Sequence, residues 1–460
     1  MMRRLSDVAT ATGGKLIGAD REFGRVSQDT RKLTKDDLFI AIKGENFDGH
    51  EFLGQAEKLG AAGALVEREA RTALPQVLVK DSRKALGAYA AAWRRRFPLK
   101  LVGVTGSSGK TTLKEMIASI LKVSGATLAT RGNLNNDIGM PLTLLELDAS
   151  CRYAVIEMGT NHPGEIGYLA ELAAPDVSVI TNAGPAHLEF LKDIAGVAKE
   201  KGAIYTHLAQ GGVAVINADD AYAPLWRGMA GAHTVRSFGL TPDADFHPQP
   251  GSLRQAASGS WYFRLISPAG EANLEVSLPG KHNVSNALAA AAVAVSAGAT
   301  LTEVREGLAH APLTAGRLIV GAGVNGSRLI DDTYNANPLS LNAAAEFAVS
   351  LGGSVWLALG DMGELGGSAE RLHSESGARL RSLGVERLYA VGPLSRHTVE
   401  AFGQDGRWFE NQEALSRALR PELKPGVTVL VKGSRSMRME RVVEALRSPN
   451  AAPKTANGDH

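Results

Sequence analysis

The chain has 460 residues, 44% of them apolar and 21% charged, and 50 Lys and Arg stand against 48 Asp and Glu for a formal net charge of +2. That length suggests about three domains at roughly 150 residues each, the composition is that of a globular protein, and the balance of charge argues against a nucleic-acid or membrane-surface binder. A single cysteine, Cys151, excludes an internal disulfide framework and a multi-cysteine zinc site.

The start, Met1-Met2-Arg3-Arg4-Leu5-Ser6-Asp7, meets charge before an apolar stretch can form, so no signal peptide is expected. The longest uncharged, mostly apolar run, residues 287–301, is too short to span a bilayer. A cytoplasmic protein without a membrane span is the expectation. A first block, residues 1–98, closes with a basic helical stretch at 85–96 and then Phe97-Pro98, where proline disfavours helix at the preceding residue. Its Arg94-Arg95-Arg96 reads as a solvated helix C-terminus, where cations complement the helix dipole. The second block, residues 99–312, offers short β-rich runs at 99–105, 153–156, 177–181 and 213–217. Helical patterns lie at 111–123, 194–208 and 287–297. Strand alternating with helix at these lengths predicts βαβ units and a parallel sheet. The third block, residues 313–447, repeats the rhythm with strands at 328–331, 355–359, 387–391 and 427–431. Residues 448–460 have almost nothing to bury and are expected to be a disordered tail.

The most specific local signal is Gly103-Val104-Thr105-Gly106-Ser107-Ser108-Gly109-Lys110-Thr111-Thr112, which leaves a predicted strand and opens a predicted helix. That is the context of a phosphate-binding loop: glycines let backbone N–H groups turn toward phosphate oxygens, and the helix N-terminus adds positive potential. Lys110 is expected on the β- and γ-phosphates and the Thr111 hydroxyl on Mg²⁺. Val104 occupies the place of the first glycine in the longer form of the motif, leaving Gly-x-x-Gly-Lys-Thr. No Asn-Lys-x-Asp guanine-reading motif occurs, so ATP is preferred over GTP.

Glu157 ends the next predicted strand, and ligands in open parallel sheets bind outside the carboxyl ends of strands. A carboxylate there suits Mg²⁺. His187, in Thr181-Asn182-Ala183-Gly184-Pro185-Ala186-His187, follows the next strand at the same edge. Lys199 and Lys201 lie on the helix after it, where composition alone reads a lysine as solvent-facing.

Further strings join these: 130–139 (Thr-Arg-Gly-Asn-Leu-Asn-Asn-Asp-Ile-Gly), 281–286 (Lys-His-Asn-Val-Ser-Asn), 331–338 (Asp-Asp-Thr-Tyr-Asn-Ala-Asn-Pro), 360–366 (Gly-Asp-Met-Gly-Glu-Leu-Gly) and 432–435 (Lys-Gly-Ser-Arg). In this order and spacing the set resembles the Mur ligases, over about residues 20–445. The resemblance implies an α/β fold of three domains: a UDP-substrate domain (1–98), a central P-loop parallel-sheet ATPase domain (99–312) and a Rossmann-like C-terminal ligase domain (313–447). It implies an ATP-dependent amide ligase of peptidoglycan synthesis. The string at 331–338 looks like the members that add D-alanyl-D-alanine to UDP-N-acetylmuramoyl-tripeptide through an acyl phosphate.

By the same resemblance Gly106, Ser107, Ser108, Gly109, Lys110, Thr111 and Thr112 hold the phosphates. Asn283 and Asn286 lie near the adenine, and Arg317 and Asp332 contact the nucleotide from the third domain. Lys201 matches a lysine carboxylated by CO₂, which with Glu157 and His187 would hold a second Mg²⁺ while Thr111 helps hold the first. Ser27, Asp29, Thr30, Arg31, Lys43, Asp48 and His50 match the UDP-substrate contacts, with Thr30 where the family commonly has Ser. A monomer is expected. The rivals are a sibling ligase adding a single amino acid and an ATPase regulator that turns over ATP without an acceptor.

Overall fold

A computed structural model describes residues 3–44, 47–256 and 259–449. Residues 450–460 of the predicted tail lie outside the described residues. Three parallel-rich sheets, each flanked by helices, follow one another along the chain.

The first sheet is ordered Lys15–Ile17, Gln76–Leu78, Gly63–Val66, Leu38–Ile40, Val26–Ser27, parallel except for its first pair. The helix Ser82–Arg94 follows, started by Asp81, whose carboxylate accepts from the Lys84 N–H (3.0 Å). Trp93 on that helix donates Nε1–H to the Leu147 carbonyl (3.0 Å), so the first domain shares a buried core with the second. Arg94 departs from the solvated reading. It is buried, donates to the Phe97 carbonyl (3.0 Å) and faces Asp176, fastening the chain where it enters the central sheet.

The central sheet is wholly parallel, in the order Thr234–Phe238, Val213–Asn217, Val177–Ile180, Lys100–Thr105, Tyr153–Glu157, Thr127–Ala129. From Lys100–Thr105 the chain first builds one side of the sheet and then crosses to the other. This makes the carboxyl end of Lys100–Thr105 a topological switch point, where open α/β sheets bind ligands. Both faces are covered, which is why these strands are nearly continuous apolar runs. The helix predicted at 287–297 begins earlier, as His282–Ser296, because its first turn is polar for a local reason given below. An antiparallel hairpin, Trp261–Ser267 with Gly270–Val276, has no counterpart in the sequence reading.

The third sheet is ordered Ile319–Ala322, Arg328–Asp332, Val427–Lys432, Ser354–Gly360, Arg387–Val391, Gly406–Phe409, parallel apart from its first, antiparallel pair. Leu188, Leu191 and Val197 of the central domain are buried in the core of this third domain, so the two pack directly across the cleft between them.

Candidate active site

The loop after Lys100–Thr105 is built for close approach. Gly106 has φ 147°, and a Cβ there would sit 1.8 Å from Thr181 Oγ1. Gly109, at φ 82°, precedes the helix Lys110–Ser124 and faces Asn286. The neighbouring strand-end loop holds it in place: Ser107 N–H donates to the Asn182 carbonyl (3.0 Å), Ser108 N–H to Asn182 Oδ1 (3.1 Å), and Thr181 Oγ1 to the Ser108 carbonyl (2.6 Å). Lys110 Nζ donates to the Gly106 carbonyl (2.7 Å), curled over its own loop. Burial pushes Lys110 below the usual lysine value, with the Glu157 charge opposing.

The polar first turn of His282–Ser296 now has a reason. Asn286 Nδ2 donates to Asn283 Oδ1 (2.9 Å) and Asn283 Nδ2 to the Pro279 carbonyl (2.6 Å), and both side chains line the same cavity as the loop. That cavity holds about 680 Å³ and is closed on the far side by the third domain. Arg317 donates to Thr111 Oγ1 (3.0 Å) and lies over the Tyr334 ring at 4.4 Å. Asn337 donates to Ser108 Oγ (3.0 Å) while its Oδ1 caps the helix Pro338–Ser350 by accepting from Ser340 N–H (2.9 Å). Asp332 accepts from the buried Lys432 (2.5 Å) and from Leu318 N–H (3.2 Å).

Glu157 is the last residue of its strand and only 2% exposed. Its Oε1 accepts from Asn135 Nδ2 (2.8 Å) and its backbone N–H donates to Thr130 Oγ1 (2.9 Å). Its Oε2 is buried and has no hydrogen-bond partner, a state that costs free energy unless a ligand fills it. His187, at φ 56°, lines the cavity with Nδ1 2.7 Å from Glu364 Oε2, outside the angles of a hydrogen bond. Lys201 does not line the cavity and, against its solvent-facing reading, is fully buried on the helix Ile194–Thr206 with Nζ unpaired. Burial, reinforced by the nearby Lys110 charge, pushes its amine well below the usual lysine value.

Three family models match the chain in order: the Mur ligase family catalytic domain over residues 22–96, the Mur ligase middle domain over 104–294, and the Mur ligase glutamate ligase domain over 316–435. The chain is 42% identical over 445 residues to the UDP-N-acetylmuramoyl-tripeptide–D-alanyl-D-alanine ligase of Escherichia coli (strain K12), covering 96% of this chain and 98% of that protein. The chain belongs to the Mur ligase family. Among solved structures it is similar to MurF from Acinetobacter baumannii (TM-score 0.92, 36% identity, 96% of this chain and 98% of that one). It is also similar to the MurF ligase from Thermotoga maritima in complex with ADP (TM-score 0.82, 29% identity, 92% and 96%).

In this Mur ligase the residues at 106–112, 157, 187, 283, 286, 317 and 332 converge on one cavity or its wall, whereas those of the first domain do not reach it. Asp48 accepts from Arg68 (2.8 Å) and from His50 N–H (3.0 Å), and these contacts hold its carboxyl well below the usual range. His50 Nε2 accepts from Glu67 N–H (2.9 Å), so Nδ1 carries the proton shared with Asp48 (2.7 Å), and the two side chains tie their turn to the end of the strand Gly63–Val66. Arg31 pairs with Asp29 (2.8 Å), Ser27 Oγ donates to the Asp29 carbonyl (3.0 Å), Thr30 donates to Gln55 (3.1 Å), and Lys43 is exposed. Asn135, Asn182, Asn337 and Glu364 are the site residues that reasoning from residue type did not single out. The only signal for them was their place in polar, glycine-rich strings at strand ends.

Proposed function

We propose that the chain is an ATP-dependent ligase that joins D-alanyl-D-alanine to UDP-N-acetylmuramoyl-tripeptide, giving ADP, phosphate and the pentapeptide precursor of peptidoglycan. The substrates rest on the 42% identity to the Escherichia coli ligase, and the observation that carries the ATP-dependent chemistry is the cavity itself. A phosphate loop bearing Lys110 forms one wall, and the third domain reaches across to touch that loop at Thr111 and Ser108. The ADP complex of the Thermotoga maritima relative supports nucleotide binding.

In the first step an oxygen of the tripeptide's terminal carboxylate attacks the γ-phosphorus of ATP. The bond to the bridging oxygen breaks, and ADP leaves. In the second the dipeptide's amine attacks the acyl carbon, loses a proton, and phosphate departs with the electron pair. No nucleophilic side chain is required. Lys110 swings from the Gly106 carbonyl onto the phosphates and offsets charge there, and the Gly106–Thr112 backbone supplies further donors. Arg317 shares the same task from the third domain, and Asn283 and Asn286 flank the loop on the adenine side. Closure between the domains excludes water from the acyl phosphate.

The donor set fits Mg²⁺. Glu157 Oε2 is a buried carboxylate oxygen without a partner, and Lys201 a buried amine without one. Among the described residues no group of three or more His, Cys, Asp or Glu forms a ready-made metal site. A carboxylated Lys201 would add an oxygen ligand to Glu157 and His187 for the second Mg²⁺, and Thr111 would help hold the first. Held by these residues, Mg²⁺ would supply positive charge for the transferring phosphoryl group. On this reading residues 1–98 receive the UDP substrate, 99–312 ATP, and 313–447 complete the ligase site, in a cytoplasmic monomer. Among the described residues no helix is long and apolar enough to cross a membrane.

Phosphate release from ATP and Mg²⁺ tests the activity. Release requiring both the UDP-tripeptide and the dipeptide is expected. Release with a single amino acid in place of the dipeptide, or with no acceptor at all, overturns the substrate assignment.

A further inference from the structure

Five carboxylates line the cavity: Asp137, Glu157, Glu165, Asp332 and Glu364. Asp137 pairs with Arg83 (3.1 Å). Glu165 accepts from the Asn161 and His162 N–H groups (2.7 and 3.1 Å). Asp332 is neutralised by Lys432, and Glu157 is held by Asn135 through one oxygen, with the other buried. Glu364 is different. Its carboxylate is half exposed to the cavity, and its one titratable neighbour within ion-pair distance among the described residues is His187, in a contact without hydrogen-bond geometry.

Its placement is imposed by the fold. Glu364 has φ 61°, a conformation that strains a residue with a Cβ. Met362 and Leu365 on either side are buried in the third-domain core and hold the strained turn. Gly366 packs so closely on the central domain that a Cβ there would lie 2.8 Å from Glu189 Cα. The carbonyl of Glu364 accepts from Glu189 N–H (3.5 Å). The loop thus presents one carboxylate from the third domain toward the phosphate-loop lysine and His187.

Beside the loop the cavity wall carries the cations Lys110 and Arg317, with Glu157 as the opposing carboxylate and Lys432 already paired to Asp332. That field suits ATP and a carboxylate and opposes an arriving ammonium. We propose that Glu364 docks the ammonium end of the incoming dipeptide and aims its nitrogen at the acyl phosphate, an assignment that rests on the ligase reading above. A charge-assisted hydrogen bond from the ammonium to this carboxylate selects an amine over water or an anion, and the docked ammonium releases one proton to solvent so that the neutral nitrogen attacks while the phosphate leaves with its electron pair.

The test is Glu364→Gln in the full-length enzyme, which keeps size and hydrogen-bonding capacity and removes the charge. The KM for D-alanyl-D-alanine is expected to rise about tenfold to a hundredfold. Capture of the acyl phosphate by hydroxylamine, a nucleophile uncharged at neutral pH, and tripeptide-dependent exchange of label between ADP and ATP are both expected to fall less than about twofold. Glu364→Asp is expected to restore part of the dipeptide affinity. An unchanged dipeptide KM overturns the proposal. So does a parallel loss of dipeptide transfer, hydroxylamine capture and exchange, because Glu364 would then act through His187 or through structure alone. Absence of tripeptide-dependent exchange in the wild type would instead overturn the ligase reading.

Discussion

Replacing Lys201 by methionine is expected to stabilise the protein while removing its activity. Lys201 is fully buried, its Nζ has no partner, and burial with the Lys110 charge pushes the amine well below the usual lysine value. In the unfolded chain the amine regains its ordinary value of about 10.4. Between the folded and unfolded values the unfolded chain therefore binds more protons, and stability rises with pH across that window. Methionine fits the lysine stem and needs no donor or acceptor. An unsatisfied buried donor costs about 1–3 kcal/mol, so its removal raises the melting temperature of a roughly 200-residue domain by about 2–12 °C. Scanning calorimetry in CO₂-free buffer measures this, and the gain over wild type is expected to shrink as pH is raised. If Lys201 is carboxylated as proposed, adding bicarbonate together with Mg²⁺ is expected to raise the wild-type melting temperature more than that of Lys201→Met. A variant that melts below wild type at every pH, with both proteins responding alike to bicarbonate, would refute the reasoning.

Glu157→Gln keeps an acceptor for Asn135 and loses the charge at the unpaired oxygen. Its turnover should fall by more than the about 10–100-fold that losing an outer partner of a metal ligand causes, with a raised Mg²⁺ requirement in steady-state assays. Lys432→Met leaves Asp332 buried without its cation and should destabilise by about 3–5 kcal/mol in urea denaturation. Adding Asp332→Asn should recover much of that loss, and a double variant no better than the sum of the singles would contradict the pairing. Gly366→Ala places a methyl group 2.8 Å from Glu189 Cα at φ 54°, so it should prop the third domain away from the central one. Small-angle scattering of the ligand-free variant should then show a larger radius of gyration than wild type, and an identical radius would argue against this contact.

The fold was legible where one physical pattern acted alone. Strands buried on both faces are short apolar runs, so Val213–Asn217 and Arg387–Val391 match their predicted limits residue for residue. The hairpin from Trp261 was missed because its alternating, half-exposed residues lack that signature. The helix start at His282 was placed five residues late because Asn283 and Asn286 serve the loop beside Gly109 rather than the helix. In the site, Lys110 and Glu157 followed from local rules, a glycine turn before a helix and a carboxylate at a strand's carboxyl end. Lys201 did not, because nothing local distinguishes a buried lysine from a solvated one. Its burial comes from packing between helix and sheet. Glu364 was hidden for a similar reason, since its meaning depends on a contact 177 residues away across a domain boundary, His187 to Glu364. Asp48 and His50 bond to each other and to Glu67 and Arg68 after the neighbouring strand, contacts that their own string does not announce.

The most direct measurement is phosphate release from ATP and Mg²⁺ with UDP-N-acetylmuramoyl-tripeptide, with and without D-alanyl-D-alanine, with the product weighed by mass spectrometry. The account predicts release that requires both substrates and a UDP product heavier by the dipeptide less one water. Release at the same rate without the dipeptide, or a UDP product of unchanged mass, would contradict it.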